Sequence, residues 1–204
     1  MSKIFSICNQ KGGVGKTTTS VNLSASLALN EKKVLLIDMD PQGNATMGSG
    51  LDKHTPDYSL ADLLLGENKN VNEIICKANE GYDLLPSNQA LTFAEVKLLE
   101  SDEREMALKN SIKSILGNYD FIIIDCPPSL NILTVNALAI SDSVIIPTQC
   151  EYYALEGLAA LLETIEKIKI SVNESLKVGG ILRTMYDPRN NLAQDVSSEL
   201  ESYF

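Results

Sequence analysis

Long apolar runs are missing from this chain. None reaches the roughly 18 residues that a bilayer-spanning helix needs, so no membrane span is expected. The start lacks a charged segment followed by a long apolar stretch, so no secretory signal is expected either. Cysteine is sparse. Cys8, Cys76, Cys126 and Cys150 are far apart, none belongs to a C-x-x-C pair, and His54 is the one histidine. That pattern argues against a disulfide framework and against a zinc site, and leaves free, buried thiols in a reducing cytosol. Basic residues are also short: 17 Lys and Arg face 27 Asp and Glu, for a net charge of −10. Broad nonspecific contact with nucleic acid is thereby disfavoured, and any such contact must use a local basic patch. There are no internal repeats and no low-complexity segments. What remains is 204 residues at 44% hydrophobic content, enough for one domain with a sizeable core.

The informative stretch is Gln10-Lys11-Gly12-Gly13-Val14-Gly15-Lys16-Thr17. It follows the apolar run Ile4-Phe5-Ser6-Ile7-Cys8 and precedes Thr18-Thr19-Ser20-Val21-Asn22-Leu23, an order that reads strand, glycine-rich turn, helix. Glycines let backbone N–H groups point at phosphate oxygens, and the first turn of the following helix adds more N–H donors and a positive dipole end. Lys16 would reach the β- and γ-phosphates, and the Thr17 hydroxyl would ligate Mg²⁺. The ordinary phosphate-loop pattern wants glycine where Gln10 stands. Lys11 instead opens a deviant form, Lys-Gly-Gly-x-Gly-Lys-Thr.

Residues 3–8 read as a buried strand and 16–30 as a helix with Leu23, Leu27 and Ala28 at helical spacing. Val34 to Asp38 is a second continuous apolar strand. Such runs following helices point to a parallel sheet covered on both faces. Asp38 and Asp40 then fall at the carboxyl edge of the sheet, the edge from which the glycine loop also leaves. Residues 46–58 read as an exposed loop. Residues 59–65 and 71–78 read as short helices separated by 66–70, 82–86 as a short strand, and 88–100 and 103–116 as helices. Tyr119 to Asp125 is the strongest buried strand. An acid closing such a strand can hold Mg²⁺ opposite Thr17, or it can cap the helix that starts near Leu130. Residues 142–148 form another strand, 151–171 a long helix, 178–185 a strand and 191–203 a last helix. The expected class is therefore α/β, a mostly parallel twisted sheet with helices on both faces.

Asn9 to Asn22 resembles the deviant Walker A ATPases of the ParA/Soj/MinD class. Asp38-Met39-Asp40-Pro41-Gln42-Gly43-Asn44-Ala45-Thr46, Asp125-Cys126-Pro127-Pro128-Ser129 and Glu151-Tyr152-Tyr153-Ala154-Leu155-Glu156-Gly157 are similar to the later motifs of its ParA/Soj branch. The resemblance implies a P-loop NTPase of the deviant Walker A type that partitions a chromosome or plasmid. In it, Gly12, Gly13, Val14, Gly15, Lys16, Thr17 and Thr18 would hold ATP, Thr17 and Asp125 would hold Mg²⁺, and Asp40 would place the attacking water. Lys11 would reach the nucleotide of a partner subunit. ATP would then drive a homodimer that binds DNA nonspecifically, with Arg189 on the DNA surface, and a ParB/Spo0J-type centromere-binding protein would stimulate hydrolysis. The implied location is cytoplasmic, on the nucleoid when ATP is bound.

Several residues keep two readings. Asp38 reads as capping the strand edge and bonding the loop, and Asp40 either as a turn-former before Pro41 or as a group near the water and Mg²⁺. Tyr152 and Tyr153 read as packing or dimer-edge residues, Arg183 as a solvated charge, and Arg189 as a solvated charge or the DNA contact that the resemblance implies. The resemblance implies a single ATPase domain over residues 1–204. Family members commonly continue with a further strand, a Pro-Arg-Asn segment against adenine and a final helix, for which this sequence has no counterpart. Two alternatives stand beside the partitioning reading. A MinD-like membrane-positioning ATPase needs a basic amphipathic C-terminal helix, whereas 191–204 holds acids and no Lys or Arg. A nucleotide-binding regulatory module without turnover is the other.

Overall fold

The computed structural model describes residues 2–54, 58–66, 70–152 and 154–203. Pro56, the 67–69 part of the expected helix linker, Tyr153 and Phe204 lie outside them. The sheet has seven strands: β1 (Lys3–Ile7), β2 (Val34–Asp38), β3 (Cys76–Lys77), β4 (Asp83–Leu85), β5 (Phe121–Asp125), β6 (Ser143–Gln149) and β7 (Lys177–Thr184). Their spatial order is β3-β4-β2-β5-β1-β6-β7, parallel throughout except for the β3–β4 pair. The chain leaves β1 toward β2 on one side and leaves β5 toward β6 on the other. The crevice above β1 and β5 is thus the switch point at which open α/β sheets bind ligands.

Alternate strand residues feed two cores, as the period of two requires. Leu35, Ile37, Ile122, Ile124, Val144 and Ile146 face one side; Ile7, Val34, Leu36, Leu84 and Ile123 face the other. The first side is covered by α3 (Leu60–Leu64), α4 (Val71–Ile74), α5 (Ala90–Leu98), α6 (Ala107–Ile112), α7 (Ile132–Ile140), α8 (Ala154–Ser171) and α9 (Asn191–Tyr203). The second is covered by α1 (Lys16–Leu29) and α2 (Asn44–Gly48).

The sequence reading needs three corrections. Residues 44–48, placed partly in an exposed loop, form α2. Gly43 starts it in the left-handed region (φ 65°), and Ala45, Thr46 and Ser49 are buried. The 71–78 helix stops at Ile74, and Cys76–Lys77 turns back as a strand paired with Asp83–Leu84. The 103–116 helix is broken into a 3₁₀ turn at Arg104–Met106, then α6, then a second 3₁₀ turn at Leu116–Asn118. The break has a visible cause: buried Asn136 accepts the Leu108 N–H (2.9 Å) and donates to the Arg104 carbonyl (2.7 Å), taking both groups out of any helical ladder. In α1, Leu23, Leu27 and Ala28 pack against the second core as their spacing suggests, and the most buried positions beside them are Lys16, Ser20 and Ser24. Ser20 and Ser24 donate to the carbonyls four residues back (3.0 and 2.8 Å), so small hydroxyls lie against the strands without orphaned polar atoms.

The cysteines are free among the described residues, with Cys8, Cys126 and Cys150 buried and Cys76 half-buried. No described helix is long and apolar enough to cross a membrane.

At the amino edge of the sheet, charge alternates strand by strand. In spatial order the residues are Lys77, Asp83, Lys33, Asp120, Lys3, Asp142 and Lys177, all exposed or half-exposed. Lys77 and Asp83 form an ion pair at 2.6 Å. Asp120 accepts the Lys33 N–H (2.9 Å), and Asp142 accepts the Ile4 N–H (2.8 Å).

Candidate functional site

The loop between β1 and α1 opens over the switch point. Gly13 and Gly15 hold φ values of 74° and 87°, a region where a Cβ is strained. A Cβ added at Gly12 or Gly13 would meet nothing within 4 Å, so the loop encloses open space rather than packed side chains. Gly15 caps α1 without a side-chain acceptor, which leaves the first-turn N–H groups of Lys16, Thr17 and Thr18 turned toward that space. Val14 is buried beneath it. The cleft has a volume of about 700 Å³ and is lined by the loop glycines, Lys16 to Thr19, Asp40, Gln42, Asn44, Pro128, Thr184 and Met185.

Lys16 is 7% exposed, and its Nζ donates to the Lys11 carbonyl at 3.0 Å, folding back across the loop. Burial lowers its pKa, and the charges of Asp125 and Asp40 work against that shift. Asp125 is fully buried and accepts from the Thr17 hydroxyl and the Ser20 hydroxyl, both at 2.8 Å. Burial pushes it up to about 6, against the two hydroxyl bonds; the charge of Asp40 raises it and that of Lys16 lowers it. The capping reading of Asp125 fails, because Asn131 caps α7 by accepting the Thr134 N–H.

Asp38 lies beside Asp125 in register on the neighbouring strand. It is fully buried and pushed up to about 7, first by burial and then by the charge of Asp125. Its hydrogen bonds come from the Asp40 N–H (3.1 Å) and from the Thr46 N–H and hydroxyl (both 2.8 Å). Asp38 therefore ties β2 to α2 and does not bond the glycine loop. That leaves Asp40, one pleat further on, as the acid facing the cleft. It is 7% exposed, one of its oxygens accepts the Gln42 N–H (2.9 Å), and its carbonyl accepts from Ser87 (2.8 Å).

The loop is also held from the far side. Thr184, at the end of β7, donates to the Val14 carbonyl at 2.9 Å. Asn9 accepts the Lys11 N–H (3.0 Å) and donates to the Pro147 carbonyl (2.7 Å). Lys11 itself forms an ion pair with Glu151 of the same chain. Arg189 lies apart from the cleft-lining residues, with its side chain 88% exposed and held by both oxygens of Asp187 (3.0 and 2.8 Å). Arg183 is an exposed charge that pairs with Glu201 at 2.7 Å and lies over Tyr186. The side chain of Tyr152 is exposed.

Sequence reasoning missed Ser20, Thr46, Thr184 and Glu151 as working neighbours of the site. Ser20 had a local signal, one helical turn after Thr17. Thr184 had none, being 170 residues from the carbonyl it holds.

A parallel sheet with a left-handed glycine loop at its switch point, a lysine folded over that loop and an acid on the loop threonine define a phosphate-loop NTPase. The comparisons agree. The family model described as an AAA domain matches residues 2–178. An uncharacterized protein of Pseudomonas putida is 57% identical over 204 residues, covering 100% of this chain and 78% of its own length. The sporulation initiation inhibitor protein Soj of Bacillus subtilis is 50% identical, with 100% and 81% covered. A crystal structure from Mycobacterium smegmatis, named as a cobyrinic acid a,c-diamide synthase with bound ATP analog and magnesium, superposes with a TM-score of 0.95 at 39% identity, covering 100% of this chain and 83% of that one. The chain belongs to the ParA/Soj family of partitioning ATPases.

Proposed function

We propose that this chain is an ATP-driven switch that partitions DNA. The observation that carries the nucleotide part is the contact of Asp125 with Thr17 beneath a glycine cradle over which Lys16 is folded. Thr17 and Asp125 offer hard oxygen donors side by side, and no group of three or more His, Cys, Asp or Glu suited to a metal occurs among the described residues. A cation held by so few protein ligands must share phosphate oxygens, which fits Mg²⁺ entering with ATP. When bound, Mg²⁺ neutralises charge on the transferred phosphoryl group.

The chain's own groups do the rest. Gly12 to Thr18 wrap the phosphates with N–H groups. Lys16 leaves the Lys11 carbonyl for the β- and γ-phosphates. Asp40, at the cleft wall, orients the water whose oxygen attacks the γ-phosphorus as the bond to ADP breaks. Lys11, at the rim, reaches the nucleotide of a second copy, so hydrolysis requires a dimer and its completion releases that dimer. In this reading the ATP-bound dimer sits on the nucleoid in the cytoplasm and holds DNA nonspecifically. Arg189 meets a backbone phosphate in place of Asp187, and a ParB-type partner speeds hydrolysis.

Two variants test the division of labour. Lys11→Ala keeps ATP binding, because its own loop still wraps the phosphates, but elutes as an inactive monomer in gel filtration with ATP and Mg²⁺. Asp40→Ala binds ATP at least as well, since a like charge is removed, and accumulates as a dimer that hydrolyses slowly. Elution of both as one species would show that Lys11 does not act in trans. With a net charge of −10, DNA retention in filter binding must depend on ATP and weaken steeply with salt. Retention without nucleotide, or flat in salt, contradicts the DNA part alone.

A further inference from the structure

Lys11 and Glu151 are joined by an ion pair within one chain, with side chains 39% and 46% exposed. Both backbones are fixed. The Lys11 N–H is held by Asn9, whose amide is anchored on the Pro147 carbonyl of β6. The Glu151 N–H donates to the Gln149 carbonyl, and its carbonyl accepts the Ala154 N–H that opens α8, both at 2.9 Å. The rim of the glycine loop and the end of β6 therefore stand at a set separation, and these two side chains close it.

We propose that Glu151 is a positioning residue that parks Lys11 in cis and so sets the concentration at which two copies associate around nucleotide. The inference rests on the reading of Lys11 as a group that serves the partner's nucleotide. One ammonium cannot neutralise its own Glu151 and a partner's phosphate at full strength. A polyphosphate carries more negative charge than one carboxylate, so the exchange is favourable once both copies are loaded. Without nucleotide the ammonium stays on Glu151 and the copies stay apart. A symmetric dimer breaks two such pairs.

An exposed pair of this kind shifts an equilibrium by about 1.7- to fivefold, so removing the acid from both copies lowers the dimer dissociation constant by about 3- to 25-fold. Glu151→Gln deletes the charge while keeping shape and hydrogen-bonding reach. The test is sedimentation of the full chain with Mg²⁺ and a non-hydrolysable ATP analogue over a range of protein concentration, for the wild type, Glu151→Gln and Lys11→Ala, at low and high salt. Glu151→Gln is expected to dimerise at 3- to 25-fold lower concentration, to lose most of that advantage at about 0.5 M salt, and to remain monomeric without nucleotide. A Glu151→Gln dimer no tighter than the wild type overturns the proposal, and a weaker one assigns Glu151 to holding Lys11 in its working pose instead. The underlying reading fails separately, if Lys11→Ala dimerises as the wild type does.

Discussion

The two edges of the central sheet are built from the same apolar strands and carry opposite designs. At the amino edge, acids and bases alternate from Lys77 to Lys177, so each charge has an opposite neighbour, and Asp120 and Asp142 spend their oxygens on strand-opening N–H groups. At the carboxyl edge, Asp38 and Asp125 stand side by side in register with no base between them, fully buried and raised to about 7 and 6. The first arrangement is stable by itself. The second concentrates negative charge where ATP and a divalent cation are to bind, and the folded chain alone relieves it only by protonation or by Lys16. Clusters of shifted acids of this kind are typical of functional sites.

Breaking the carboxyl edge should cost function before stability. Asp125→Asn is expected to lower ATP turnover by about 10²–10³-fold, the usual effect of removing one electrostatic group from a reacting centre. At pH 8 its nucleotide-free melting temperature should not fall, because one of two adjacent buried charges is gone. A large drop in melting temperature with intact turnover would reverse the comparison. Next in size, Lys16→Ala loses a charge-assisted contact of about 1.5–3 kcal/mol, so nucleotide affinity in calorimetric titration should fall at least tenfold.

The paired acids also predict a pH dependence. Asp38 and Asp125 are raised above their ordinary value of 3.8, so the folded state binds more protons than the unfolded state between about pH 4 and 7. Their contribution to stability is complete below the unfolded pKa and is lost as pH rises through the folded one. Thermal melts without nucleotide should show a decline of up to about 1.4 kcal/mol per pH unit per group across that window. Asp38→Asn should lose its share of the slope between pH 5.5 and 7, whatever its absolute stability; an unchanged slope would mean Asp38 is not the titrating group. The smallest effect belongs to the amino edge. Lys77→Ala breaks an exposed pair worth about 1 kcal/mol at most, a shift of under about 4 °C that shrinks with salt and leaves ATP turnover unchanged.

The sequence was most legible where one local rule acts alone. The glycine loop was readable because its backbone shape is set by its own glycines, Gly13 and Gly15 at positive φ, although Thr184 and Asp125 hold it from afar. β2 and β5 were readable because strands buried on both faces are continuous apolar runs. Legibility failed where a distant residue decides. Nothing in 103–116 announces that Asn136 will break the helix, and nothing in 46–58 announces that buried Asp38 will recruit Thr46 and begin α2. The serine face of α1 was hidden for another reason. Apolar periodicity finds oily faces, and the most buried positions of this helix include two serines that bond carbonyls four residues back and, for Ser20, Asp125.

The placement of β5 between β1 and β2 also governs how the molecule comes into being. Thr17 and Asp125 touch, yet 108 residues separate them, and β1 has no hydrogen-bonded neighbour until β5 or β6 exists. A growing polypeptide that has emerged only as far as α5 displays its glycine loop on a strand without partners and a helix whose inward stripe is hydroxylated. Neither can hold its shape by local contacts. Closure must wait for long-range pairing, the slow class of folding event. Nascent chains should therefore acquire nucleotide affinity in one late step, when Phe121 to Asp125 slots between the two earlier strands.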